Sequence, residues 1–123
     1  MKSKYKFIDL FAGCGGLSLG LEQSSFEPLM YNEINESAAE TYRINRNNSI
    51  EYIPDVYDIN NINKYKGVTD LVCGGPPCQG FSGIGFRRTH QVDKKDIPKN
   101  HLFNKMISII SNVEPNLFLF KNA

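Results

Sequence analysis

The segment KFIDLFAGCGGLSLGLEQ, residues 6–23, constrains the fold of this chain more than any other. A short apolar run ends in a turn carrying Gly13, Gly15 and Gly16, and Leu17 and Leu21 follow four residues apart. The run suits a strand buried on both faces of a parallel sheet. The leucine spacing predicts a helix that starts directly after the glycines. Strand, glycine turn and helix in that order open a βαβ unit, which calls for alternating layers.

The rest of the chain keeps the alternation. FEPLMYNEI reads as a second strand, with Pro28 expected at its start, where a missing N–H is tolerated. Asn35 is placed to cap a helix over ESAAETYRINRN. Glu51 to Ile53 forms a weak third strand candidate, and DLVCGG a fourth. Leu102, Phe103, Met106, Ile107, Ile110 and Val113 recur at helical spacing, with Pro115 closing the run before a last strand, NLFLF. The expectation is an α/β fold, a doubly wound and mostly parallel sheet. The 123 residues suit one small domain. Five strands are fewer than such sheets commonly carry, so the sheet is expected to be incomplete.

Composition excludes few functions. The net charge of +1 leaves no overall basic footprint. Arg87, Arg88, Lys94, Lys95, Lys99 and Lys105 gather in one third of the chain, as a solvated loop or as phosphate contacts. No stretch approaches the roughly 20 apolar residues that a membrane-spanning helix needs. The basic N-terminus runs into Asp9 and the glycine turn, which argues against a signal peptide. Three cysteines, an odd number, argue against a disulfide framework, and a cytoplasmic protein is expected. Zinc is not expected, because Cys73 and Cys78 lie five apart across two prolines and His90 and His101 form no matching pair.

The glycine turn points to a ligand. Glycines let backbone and ligand approach closely, and the helix start presents unpaired N–H groups. Glu33 follows Gly13 by twenty residues and should end the second strand, where a carboxylate can accept hydrogen bonds from ribose hydroxyls. A nucleoside-bearing cofactor is therefore expected. The dinucleotide pattern asks for a third glycine where this chain has Ser18, which weakens a nicotinamide reading. S-adenosylmethionine needs the ribose carboxylate and the close backbone but no pyrophosphate cradle.

Cys78 lies in CGGPPCQGFSGIG, directly after the fourth strand. Free cysteine is usually buried, a reading that suits Cys73 at a strand end, while Cys14 falls incidentally in the glycine turn. Cys78 differs. Two prolines stiffen the approach to it, and glycines follow. It stands at the carboxyl edge of the sheet, where open α/β sheets bind ligands and where the glycine turn also lies. A nucleophile and a nucleoside cofactor would face one crevice.

FIDLFAGCGGLSLGL and GGPPCQGFSGIG resemble the first and fourth signature motifs of the cytosine-5 DNA methyltransferases, in the same order and spacing. NEINESAAETY resembles the second motif, DVYDIN the third, and HLFNKMISIISNVEPNLFLF the run into the sixth. The resemblance covers essentially the whole chain and implies a Rossmann-like S-adenosylmethionine-dependent methyltransferase fold. Residues 1–123 would be the N-terminal part of the catalytic domain. The implied function is methyl transfer to C5 of cytosine in double-stranded DNA, in a restriction–modification system, with the target base flipped out. Cys78 would add to C6 as nucleophile. Phe11, Ala12, Gly13, Gly15, Gly16, Leu17 and Pro76 would surround S-adenosylmethionine. Glu33 would hold the ribose and Ile34 would pack on adenine. Asp58, with Ile59 beside it, would bond the adenine amino group. Pro77 would wall the base. Gln79 and Ser82 would meet DNA, and Arg87 and Arg88 its phosphates.

Two departures from the family pattern stand out. The family has an E-N-V tripeptide after the fifth strand, whose Glu bonds the target cytosine; here Lys121 takes that catalytic position, followed by Asn122 and Ala123. An ammonium donates hydrogen bonds but accepts none. The later motifs and the target-recognition domain are also absent from this sequence. The expectation is a fragment: a truncated piece of a longer enzyme, a disrupted gene product or one half of a split enzyme completed by a C-terminal complementary chain, binding its methyl donor weakly at best and inactive alone. Two other readings remain open at this point. One is a non-catalytic cofactor-binding or assembly subunit. The other is the RNA-modifying branch of the family, which Gly80 after Gln79 disfavours.

Overall fold

The computed structural model describes residues 5–46, 49–60, 62–76 and 98–121, with backbone alone for 98–100. Among them five strands form one sheet: β1 (Tyr5–Leu10), β2 (Phe26–Asn32), β3 (Glu51–Ile53), β4 (Leu71–Gly74) and β5 (Leu117–Phe120). All four pairings are parallel, and the order across the sheet is β3-β2-β1-β4-β5. Winding proceeds outward from β1 through β2 to β3, then resumes on the other side with β4 and β5. The reversal between β1 and β4 opens a crevice at their carboxyl ends, the usual ligand position in such sheets.

Among the described residues three α-helices cover the faces: α1 (Gly16–Gln23), α2 (Glu36–Ile44) and α3 (Pro98–Val113). Alternate strand residues sort between them. Phe7, Leu71 and Cys73 pack toward Leu17 and Leu21 of α1, and Tyr31 toward Ala39 and Tyr42 of α2. Ile8, Leu10, Met30 and Val72 face Met106, Ile109 and Val113 of α3, together with Val56, Ile59, Ile62 and Tyr65. The last four lie in or beside two short 3-10 turns, Val56–Asp58 and Ile62–Tyr65. Each fully buried aliphatic side chain contributes about 1.5–3 kcal/mol of transfer free energy.

Three local expectations shift. Pro28 lies inside β2 rather than at its start, and the β1–β2 register skips Leu29 there. Pairing of β2 with β3 begins only at Met30, so the missing N–H of Pro28 leaves no gap in that ladder. Asn35 caps α2 as expected, its side chain accepting from the Ala38 N–H at 2.9 Å, but α2 ends at Ile44. On α3 the inward stripe includes Ile109, while Ile107 is exposed.

Candidate functional site: the crevice between β1 and β4

Past the end of β1, the chain stays tied to β2 through three successive amides. The Phe11 N–H donates to Asn32 Oδ1 at 3.0 Å, the Ala12 N–H to the Asn32 carbonyl at 2.8 Å, and the Gly13 N–H to Glu33 Oε1 at 2.7 Å. Two consecutive residues at the end of β2 thus hold the whole turn. Phe11 is held at φ 54°, a left-handed conformation costly for a side chain of its size. Its amide bond to Asn32 keeps it there.

Asn32 does more than hold Phe11. Its Nδ2 donates to the carbonyls of Ile53 and Pro54, each at 2.9 Å, so one buried amide joins the ends of β1, β2 and β3. Glu33 stands one residue past β2. Its second oxygen accepts from the Asn35 N–H at 2.9 Å, and its carbonyl accepts from Tyr52 Oη at 2.9 Å. A carboxylate offers about four acceptor positions, so two remain for a ligand. Ile34 beside it is 66% exposed, an apolar surface suited to a flat ring.

Beneath the turn lies a buried polar chain. Asp9, 1% exposed, accepts from Ser18 Oγ at 2.6 Å, and Ser18 shares a 2.7 Å hydrogen bond with Tyr42 Oη. Ser18 therefore stands where a dinucleotide turn has glycine because it satisfies a buried carboxylate. Burial raises the Asp9 pKa to about 6, against the hydrogen bonds from Ser18 and Cys73. The Cys73 thiol is fully buried, and burial with the adjacent Asp9 carboxylate pushes its pKa up, so it stays neutral. Cys73 is core, as expected. Cys14 is exposed in the turn.

Arg46 closes the turn from behind. Its guanidinium lies 3.8 Å above the Tyr42 ring, pairs with Glu22 at 2.8 Å and donates to the Gly15 carbonyl at 3.2 Å. Gly15, at φ 98°, forms the N-cap of α1, and a Cβ there would lie 2.7 Å from Tyr42 and 2.8 Å from Arg46. Only glycine fits.

Beside this turn lies a cavity of about 340 Å³, lined by Asp9, Phe11, Gly13, Leu17, Gly75 and Lys121 among others. Ala12, Cys14 and Gly16 complete the lining. Gly15 is buried behind the wall. Pro76 is buried and does not line the cavity, Asp58 is exposed on its 3-10 turn, and Ile59 is 4% exposed inside the α3-facing core. Glu33 does not line it either, and Ile34 lines a separate cavity with Tyr31, Glu36 and Tyr52. Pro77, Cys78, Gln79, Ser82, Arg87, Arg88 and Asn122 lie outside the described residues. Among the described residues no cluster of three or more His, Cys, Asp or Glu could hold a metal ion. No described helix is long and apolar enough to cross a membrane.

Sequence reasoning missed Asn32, Tyr52, Tyr42 and Arg46. Asn32 carried a signal: a lone amide closing an apolar strand must find partners if buried. So did Asp9, a carboxylate in the middle of a buried strand.

Comparison with known proteins decides the family. The model of the C-5 cytosine-specific DNA methylase family matches residues 5–123. This chain belongs to that family. A Type II methyltransferase of Haemophilus parahaemolyticus, M1.HphI, is 36% identical over 95% of this methylase chain and 32% of its own length. The DNA (cytosine-5)-methyltransferase PliMCI of Paracentrotus lividus is 34% identical over 98% of the chain and 8% of its own length. A solved structure described as a DNA modification methyltransferase encoded within an E. coli prophage superposes with a TM-score of 0.75 at 34% identity, over 98% of this chain and 32% of that one. The S. pombe Dnmt2 methyltransferase shares the fold, with a TM-score of 0.61 at 17% identity over 98% of this chain and 34% of that one. The methylase chain thus spans about a third or less of the length of these relatives.

Proposed function

We propose that this methylase chain is the cofactor-binding, nucleophile-bearing N-terminal part, residues 1–123, of the catalytic domain of a DNA (cytosine-5)-methyltransferase of restriction–modification type. The observation that carries the reading is the turn over residues 11–13, tied amide by amide to Asn32 and Glu33 beside a cavity of about 340 Å³. The residues fit S-adenosylmethionine: Glu33 retains acceptor capacity for ribose hydroxyls, Ile34 offers an apolar face for adenine, and Asp58 has a solvent-facing carboxylate for its amino group. Bound there, S-adenosylmethionine supplies an electrophilic methyl group.

The chain's own part in the reaction is nucleophilic. Cys78, as thiolate, adds to C6 of a cytosine flipped out of duplex DNA, which makes C5 nucleophilic. After methylation a base removes the C5 proton, the C6–S bond breaks and the thiolate is restored. Pro77 walls the base, while Gln79, Ser82, Arg87 and Arg88 meet the DNA.

The test is to mix the chain with duplex DNA containing 5-fluorocytosine and with S-adenosylmethionine, alone and with a candidate C-terminal partner. The expected result is a covalent adduct in the complemented reaction that disappears in Cys78→Ser. Cofactor binding without an adduct under any condition would instead assign a non-catalytic binding subunit, the reading that Lys121 at the catalytic Glu position favours.

A further inference from the structure

Lys121 occupies the family's Glu position, yet its surroundings belong to the cofactor turn. Its backbone N–H donates to the Gly74 carbonyl at 2.7 Å, which extends the β4–β5 ladder by one rung and pins the residue at the carboxyl edge. Its stem then lies over Gly75, where an added Cβ would stand 3.4 Å from Lys121 Cβ and 3.5 Å from Cδ. Lys121 lines the same cavity as Phe11, Gly13 and Leu17. Among the described lining residues it carries the only positive charge.

We propose that Lys121 is a donor ligand rather than a base ligand: its ammonium receives the carboxylate of the amino-acid tail of S-adenosylmethionine in this cavity. The proposal rests on the reading of the crevice as an S-adenosylmethionine site. Asp9 does not compete well for the ammonium, because it is buried and already bonded to Ser18. A ligand carboxylate entering the cavity would be met by a flexible ammonium on a stem already packed along the wall. A glutamate at this position would repel that carboxylate. The substitution thus exchanges a contact to cytosine for a contact to the donor, and predicts a chain that retains its cofactor while its contribution to base activation falls.

The experiment is calorimetric titration of the chain and of Lys121→Met with S-adenosylmethionine and with decarboxylated S-adenosylmethionine. The expected result is about a tenfold loss of affinity for S-adenosylmethionine in Lys121→Met, with affinity for the decarboxylated analogue equal in both proteins. Lys121→Glu should bind S-adenosylmethionine more weakly still. Thermal melts control for folding, and the exposed side chain should leave them unchanged. Equal S-adenosylmethionine affinity in parent and Lys121→Met, with binding still lost in Glu33→Ala, would overturn the role of Lys121 alone. No binding of either ligand to any variant would overturn the cofactor reading and this proposal with it.

Discussion

The crevice has two flanks of different construction. On the β1–β2 flank, buried polar groups set the shape: Asn32 makes three side-chain hydrogen bonds, Asp9 bonds Ser18, Ser18 bonds Tyr42, and Arg46 reaches across to Gly15. On the β4–β5 flank, Val72 packs toward Met106, Ile109 and Val113, and β5 exposes Leu117 and Phe118 at the sheet edge. Apolar packing is non-directional and fills space; hydrogen bonds specify direction and register. The flank that shapes the glycine turn is built from the directional kind.

Four variants test that contrast, in order of falling effect. Met106→Ala should lose about 2–5 kcal/mol of stability, read from urea midpoints, equally across pH and with unchanged donor affinity while folded. A loss of affinity that tracks the loss of stability would erase the distinction between flanks. Asn32→Ala strands the Phe11 N–H and the Ile53 and Pro54 carbonyls. It should lose about 3 kcal/mol and also weaken S-adenosylmethionine binding, because Phe11 would relax from its left-handed conformation.

Asp9→Asn probes the polar flank through pH. Burial raises the folded pKa of Asp9 from 3.8 to about 6, so as pH rises the unfolded chain releases this proton first. The contribution of the protonated carboxyl is full below about pH 4 and is lost as pH rises to about 6, by at most about 3 kcal/mol. The difference in stability between Asp9→Asn and the parent should therefore grow in favour of the variant across that window and level off above it. Parallel curves would remove the buried charge from the account. Lys6→Ala, which deletes an exposed pair with Glu27, should change stability by only about 0–1 kcal/mol. A larger change would mean that surface charge, not the buried network, orders this flank.

Much of the architecture is readable along the chain, because strands and helices declare themselves by local period. β3 coincides with the predicted Glu51–Ile53, β5 with the apolar run before Lys121, and the glycine turn with the start of α1. Pro28, expected at the start of β2, and Ile107, expected on the inward stripe of α3 where Ile109 stands, differ for one reason. Whether a strand position lacks a neighbour, or a helix position faces inward, depends on elements not adjacent in sequence. Glu33 was legible from its distance to Gly13, but its hold on the Gly13 amide was not.

Sequence order and residue type suffice for the parallel αβ alternation, the glycine turn and the family, since each depends on short-range pattern or on motif spacing. The partners of buried polar groups do not follow from pattern. Phe11 and Asn32 are 21 residues apart, Gly15 and Arg46 are 31, and they meet only because β2 lies beside β1 and α2 packs against that face. Lys121 makes the same point. In the sequence it is a lysine where the family resemblance implies a glutamate; in the folded chain the β4–β5 ladder carries it to the wall of the cavity between β1 and β4.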